Sequence, residues 1–256
     1  MIKRIYRGGG HLLALFSNLK KSLFKTHCAF TLAEVLITLG VIGVVASMTI
    51  PSLIAKYQKN ILENQFKKAY SEVSQAVLLL KAKEEINLFE YAKTYGSQNT
   101  LDKLMSQISG NTYGGSANLA NFIKNFYRPK KLNKKSFTGA HCDYTNVYVS
   151  NNGIFYSMDD PPGNTSLADP KLCIDINGKK GPNAYGYDLF IFVFSKDGNI
   201  VPFTYKWTVT QTVNELDNIS SQCSYNNTIP ASCSYYALSN TSPEDSSKTY
   251  WNDFLK

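Results

Sequence analysis

No acidic residue occurs in the first 29 positions, and no charge of either sign occurs from Val35 to Ala55. The first absence leaves Lys3, Arg4, Arg7, Lys20, Lys21 and Lys25 uncompensated at the N-terminus. The second excludes an ordinary surface helix, which carries a polar stripe along its outer face. A run of 21 residues without charge reaches ~31 Å as a helix, about the thickness of a bilayer's hydrocarbon core.

Other absences bear on chemistry. There is no Cys-x-x-Cys, and His141 is the only histidine after residue 27, which disfavours a zinc centre of thiolates and imidazoles. Neither Gly-x-Ser-x-Gly nor His-Glu-x-x-His occurs. Gly178, Gly181 and Gly186 lack the following Gly-Lys-Ser/Thr of a phosphate loop. His141 and Cys142 are chain neighbours, which rarely face one another, so they make a poor nucleophile and base. The chain reads as a non-enzyme.

What is present is ordered by charge. The formal net charge is +8, with 27 basic and 19 acidic residues. Because the first 29 residues hold six of the bases and none of the acids, only +2 remains after them. The basicity is therefore a topology signal. By the positive-inside rule the N-terminus stays cytoplasmic and the C-terminal part is exported. Leu12, Leu15, Phe16, Leu19 and Leu23 fall at helical spacing beside Lys20 and Lys21. They fit either an amphipathic helix on the inner leaflet or a disordered basic tail. Ala46-Ser-Met48 offers small residues for signal-peptide cleavage, but the apolar run continues to Ile54. Cys28 precedes that run, which disfavours a lipoprotein. One acid stands out: Glu34 sits at the edge of the apolar segment, where a carboxylate is costly unless something pairs with it.

Ala29-Phe30-Thr31-Leu32-Ala33-Glu34 resembles the prepilin cleavage and methylation motif of type IV pilins and type II secretion pseudopilins. The resemblance is specific over residues 25 to about 55. It implies cutting between Ala29 and Phe30, methylation of the new Phe30 amine, and an assembly role for Glu34, fifth in the processed chain. Pro51 then falls at the twenty-second position, where the family often has proline and where the missing N–H kinks or loosens a helix. The family usually has Gly before the cut; Ala29, the next smallest residue, implies slower processing. The resemblance also implies the partners: prepilin peptidase, other pilin or pseudopilin subunits, an inner-membrane assembly platform and the lipid bilayer. It implies a single pass through a bacterial inner membrane, followed by a periplasmic or extracellular fibre. Two alternatives stay open: a DNA-uptake pilus component, and a bitopic, membrane-anchored adhesin that does not polymerise.

The expected fold is α+β and pilin-like, a long N-terminal helix packed by a C-terminal antiparallel sheet. The expected divisions are a leader (1–29), a transmembrane and assembly helix (30–55), its amphipathic continuation (56–85) and an exported head (86–256). Ile54, Tyr57, Ile61, Phe66, Ala69, Val73, Val77 and Leu80 recur near a helical period, predicting one helix from Thr31 to Lys83 with a buried second half. Gly40 and Gly43 permit close helix approach. Short helices are expected over Asn87–Thr94, Thr100–Ser109 and Ser116–Tyr127. A meander of about five strands is expected over Val147–Val149, Ile154–Met158, Lys171–Ile176, Leu189–Phe194 and Ile200–Tyr205, with a hairpin at Ser150-Asn-Asn-Gly153. Glu215–Lys256 reads mostly as loop, anchored by Tyr250-Trp-Asn-Asp-Phe254.

Removing Cys28 leaves four cysteines, an even count that suits disulfides in an exported domain. Three connectivities are open. The short polar loop between Cys223 and Cys233 favours pairing these two, which leaves Cys142 with Cys173. Asp175, Asn177, Asn183 and Asp188 offer oxygens suited to calcium, although the loop fails the EF-hand pattern at Lys179 and Lys180. Arg128-Pro-Lys-Lys-Leu-Asn-Lys-Lys135, near Phe126, Tyr127 and Phe137, reads as a solvated loop or a contact for the phosphates of DNA.

Overall fold

The structure, a computed structural model, describes residues 30–113, 129–136, 142, 147–159, 170–203, 223–226 and 233–256. The expected leader with Ala29 and Cys28, the helix expected over Ser116–Tyr127, Arg128, Phe137 and His141 lie outside these residues. The chain divides into two compact units, one ending at Pro51 and one beginning at Ser52.

Helix α1 spans Leu32–Glu84, within one residue of the expected ends. Pro51 sits inside it, and the helix continues past it. In the first unit the large apolar side chains of α1 are exposed. The polar side chains there turn inward on the backbone. Thr38, Ser47 and Thr49 donate to the carbonyls of Val35, Val44 and Val45 at 2.8–3.0 Å. A helix that satisfies its own hydroxyls has the form that hydrocarbon tolerates.

In the second unit, α1 buries Leu62, Phe66, Ala69, Val73, Ala76, Val77 and Leu80. The expected buried face began earlier, at Ile54; instead Ile54, Tyr57 and Ile61 remain exposed. Burial starts where the aromatic core meets the helix: Phe66 lies 4.5 Å from Phe190, 6.0 Å from Phe192 and 5.4 Å from Trp251, between ring centroids. Helix α2, Leu88–Met105, replaces two expected short helices. It is interrupted only at Gly96, whose φ of 79° is costly for residues with a side chain. Asn87 caps α2, its side chain accepting from the Phe89 and Glu90 amides.

Six antiparallel strands follow in a simple meander: β1 (Asn111–Tyr113), β2 (Val147–Ser150), β3 (Phe155–Asp159), β4 (Lys171–Asp175), β5 (Leu189–Phe194) and β6 (Ile200–Pro202). Five match the expected set, and the expected hairpin closes through Gly153 N–H to Ser150 O. Strand β1 is an addition to the expected five. Its partner β2 supplies the ladder, and three residues carry no periodicity of their own.

The central strands are buried on both faces. Along β5, Phe190, Phe192 and Phe194 join the core under α1, while Leu189, Ile191 and Val193 join a second core with Tyr185 and Phe203. This period of two is what a pleated strand imposes. Within the tail, expected to be mostly loop, Cys233–Ser239 forms α3 and Tyr250–Phe254 a π-helical turn. The coarse architecture is thus α+β, with a long N-terminal helix and an antiparallel sheet.

Both favoured disulfides form, Cys142–Cys173 and Cys223–Cys233. Cys173 lies in the middle of β4. Closing the 31-residue separation removes chain entropy worth about 3–4 kcal/mol in the loop-closure account. Cys142→Ser with Cys173→Ser should lower the unfolding free energy of the full chain by about that amount. A urea titration of the detergent-solubilised chain, followed by near-UV circular dichroism, checks it.

Candidate functional site

The first candidate lies at the start of α1. Phe30 is exposed, and Thr31 stands in the N-cap position. The Thr31 amide and hydroxyl both donate to Glu34 Oε2, at 2.8 and 2.9 Å, and the Glu34 amide donates to Thr31 Oγ1 at 3.2 Å. This is a reciprocal capping box, which satisfies two amides that the helix leaves without partners. Sequence reasoning singled out Glu34 but missed Thr31. The signal was there, because Thr-x-x-Glu ahead of an apolar run is the capping-box pattern. A carboxylate has about four acceptor positions. Glu34 can therefore keep Thr31 and still accept from a cation brought to it.

Beyond Glu34 the helix offers only apolar and small side chains until Lys56. It is long and apolar enough to span a membrane, and none of its most apolar window is buried. A Cβ placed on Gly40 or Gly43 would meet nothing within 4 Å, so both leave open notches on the helix surface.

The second candidate is the loop from Asp175 to Asp188. Both carboxylates are fully buried. Asp175 Oδ1 accepts from the amides of Asn177 (3.1 Å) and Gly178 (2.6 Å). Asp188 accepts from the amides of Asn183 (2.9 Å) and Ala184 (2.5 Å) and from Asn177 Nδ2 (3.2 Å). Gly178 is tightly enclosed, since a Cβ there would lie 2.0 Å from the Gly153 carbonyl. The two acids thus hold the loop's shape by accepting from N–H groups. Asn177 presents its nitrogen, not its oxygen, to Asp188. Among the described residues, no group of three or more His, Cys, Asp or Glu side chains could hold a metal. Calcium bound through Asp175, Asn177 and Asp188 would share these carboxylates with the N–H donors.

Burial pushes the Asp188 carboxyl up to about 6, outweighing its hydrogen-bond donors, which act in the other direction. The folded chain then holds this proton more tightly than the unfolded chain, where the group titrates near 3.8. The contribution of Asp188 to stability is therefore greatest below about pH 4 and is lost as pH rises towards 6. Asp188→Asn should flatten that segment of the stability profile. Urea midpoints measured between those pH values, for both chains, check this.

The basic loop is described from residue 129 to 136. Lys130 is fixed by its backbone, which bridges Ala184 and Ser136. Lys134 Nζ stands 4.5 Å from the centre of the Tyr187 ring. Lys135 is exposed.

No protein-family description, curated protein or solved structure matches this chain.

Proposed function

We propose that the chain is a structural subunit of a type IV pilus-like or type II secretion fibre, a minor pilin or pseudopilin, and not an enzyme. The observation that carries this reading is the start of α1. A single capped carboxylate, Glu34, heads an exposed helix segment without charge, and the helix then runs on into the core of the second unit. An isolated membrane anchor needs the apolar run but has no use for an acid at its edge.

In this reading the basic leader holds the precursor in the inner membrane with its N-terminus cytoplasmic. Prepilin peptidase cuts between Ala29 and Phe30 and methylates the new amine. That amine is a cation, and Glu34 of an incoming subunit neutralises the Phe30 amine of its neighbour. In hydrocarbon this attraction is screened far less than in water, so it fixes the axial register of the subunits. The exposed apolar faces then pack helix on helix, with Gly40 and Gly43 as places of close approach. The sheet-bearing heads tile the outside of the fibre.

The reading is tested by expressing the chain with a prepilin peptidase and an assembly platform, then probing sheared fibres. Recovery of the processed chain in the fibre fraction supports it. A chain confined to the membrane fraction under the same conditions contradicts it.

A further inference from the structure

Lysines from separate stretches of chain lie at the end of the second unit that α1 enters after Pro51. Lys56 and Lys59 follow Ala55, the last residue of the uncharged run, by one and four positions. Chain length alone holds them within ~13 Å of it. A groove of about 360 Å³ at this level is lined by Gln58, Ile61 and Gln65 of α1 and by Lys180 and Tyr187 of the Asp175–Asp188 loop. Lys134 reaches the Tyr187 ring from the basic loop and donates to a main-chain oxygen of Lys256 at 3.3 Å. Lys59 donates to the Asn252 carbonyl at 3.2 Å. Lys56, Lys135 and Lys180 are exposed around this cluster.

Two acids near this cluster are exposed, Asp253 and Glu244, and Glu244 is close enough to act on Tyr225. Glu63 pairs with Lys67 at 2.6 Å. Asp253 accepts from the amide and hydroxyl of Thr249 and feels the charges of Lys59 and Lys248. Asp175 and Asp188 are fully buried. Lys56, Lys59, Lys134, Lys135 and Lys180 outnumber the exposed Asp253 and Glu244 at this end. Tyr57 is 66% exposed beside Lys56, and exposed tyrosines next to an apolar span are typical of the membrane–water boundary.

We propose that this end of the head binds anionic phospholipid headgroups of the leaflet from which the helix emerges. The inference rests on Val35–Ala55 spanning the bilayer and does not need fibre assembly. Lysine ammonium groups on long stems reach phosphate oxygens while their chains lie along less polar surface. The attraction acts within about a Debye length, ~8 Å at physiological salt. Lys56 and Lys59 lie on the helix just after the uncharged run and Lys180 lines the groove beside Gln58, so a rod-like nucleic acid would have to compete with the bilayer for them. The contact would seat the head on the membrane before assembly, and leaving the membrane would break it.

The test uses the full chain in nanodiscs of phosphatidylcholine, with or without phosphatidylglycerol. A water-soluble amine reagent labels exposed lysines, and peptide mass spectrometry reads each one. The expected result is a roughly fivefold or greater fall in labelling of Lys135 and Lys180 in the anionic discs at low salt. High salt should restore the labelling, and Lys83 and Lys196 should label equally in both discs. Lys83 lies 24 residues beyond Lys59 on the same helix, ~36 Å away. Equal labelling of Lys135 and Lys180 in both lipids overturns the inference and leaves the fibre reading intact. Protection by duplex DNA in phosphatidylcholine discs, with none from phosphatidylglycerol, also overturns it. A chain that does not enter the discs overturns the span, and the inference with it.

Discussion

Glu34→Ala is expected to leave the chain in the membrane and to lower its recovery in sheared fibres by a factor of about 10²–10⁴. That is the cost of stranding one partner of a poorly solvated ion pair, about 3–5 kcal/mol. The same substitution also removes the carboxylate that accepts from the Thr31 amide and hydroxyl. Loss of a cap interaction accounts for about 1 kcal/mol, roughly a factor of five. Glu34→Gln separates the two effects, because glutamine completes a capping box as glutamate does but carries no charge. The account expects Gln to assemble nearly as poorly as Ala. If Gln assembled like the native chain and only Ala failed, Glu34 would be a helix-capping residue and not the partner of an amine. Immunoblots of sheared and membrane fractions read both.

Trp251→Ala is expected to destabilise the head by about 3–5 kcal/mol, a large share of the 5–15 kcal/mol typical of a folded domain. Trp251 is fully buried. It lies 5.4 Å from Phe66, 5.8 Å from Phe190 and 5.3 Å from Tyr250 between ring centroids, and its indole N–H donates to the Ala237 carbonyl at 3.1 Å. The side chain therefore joins four elements: α1, β5, α3 and the terminal π-helical turn. Trp251→Phe keeps much of the apolar contact but leaves the Ala237 carbonyl without this donor, so its cost should be smaller, about 1–3 kcal/mol. The urea midpoint of the detergent-solubilised chain gives both values. A loss below ~1 kcal/mol for the alanine variant would mean that the site collapses around the missing ring.

What the sequence made legible follows from period and punctuation. The uncharged run and the helical recurrence from Phe66 to Leu80 were strong signals, and α1 matches them. Leu189–Phe194 was legible as a strand because six apolar residues between turn signals fit a strand buried on both faces. The disulfides followed from an even count and one short loop. The misses share a cause, which is that tertiary partners decided them. β1 exists because β2 offers it a ladder. α3 is anchored by Cys233, bridged to Cys223, and is packed by Trp251. Nothing local in Cys-Ser-Tyr-Tyr-Ala-Leu-Ser signals a helix as strongly as those contacts do. Ile54 and Tyr57 continue the apolar period on paper, yet the core reaches the helix only from Leu62. At the candidate site the residues were legible but their contacts were not: Asp175 and Asp188 are oxygen donors in one loop on paper, and only the folded chain shows the N–H groups that they accept from.

The central claim is that the chain becomes an assembling subunit when a new amine is made at Phe30, one helical turn from Glu34. Intact-mass and N-terminal peptide mass spectrometry of the chain, co-expressed with a prepilin peptidase, tests this most directly. The account predicts a mature chain that begins at Phe30 and carries one methyl group on its amine. An intact Met1, or a cut at any other bond, would contradict it.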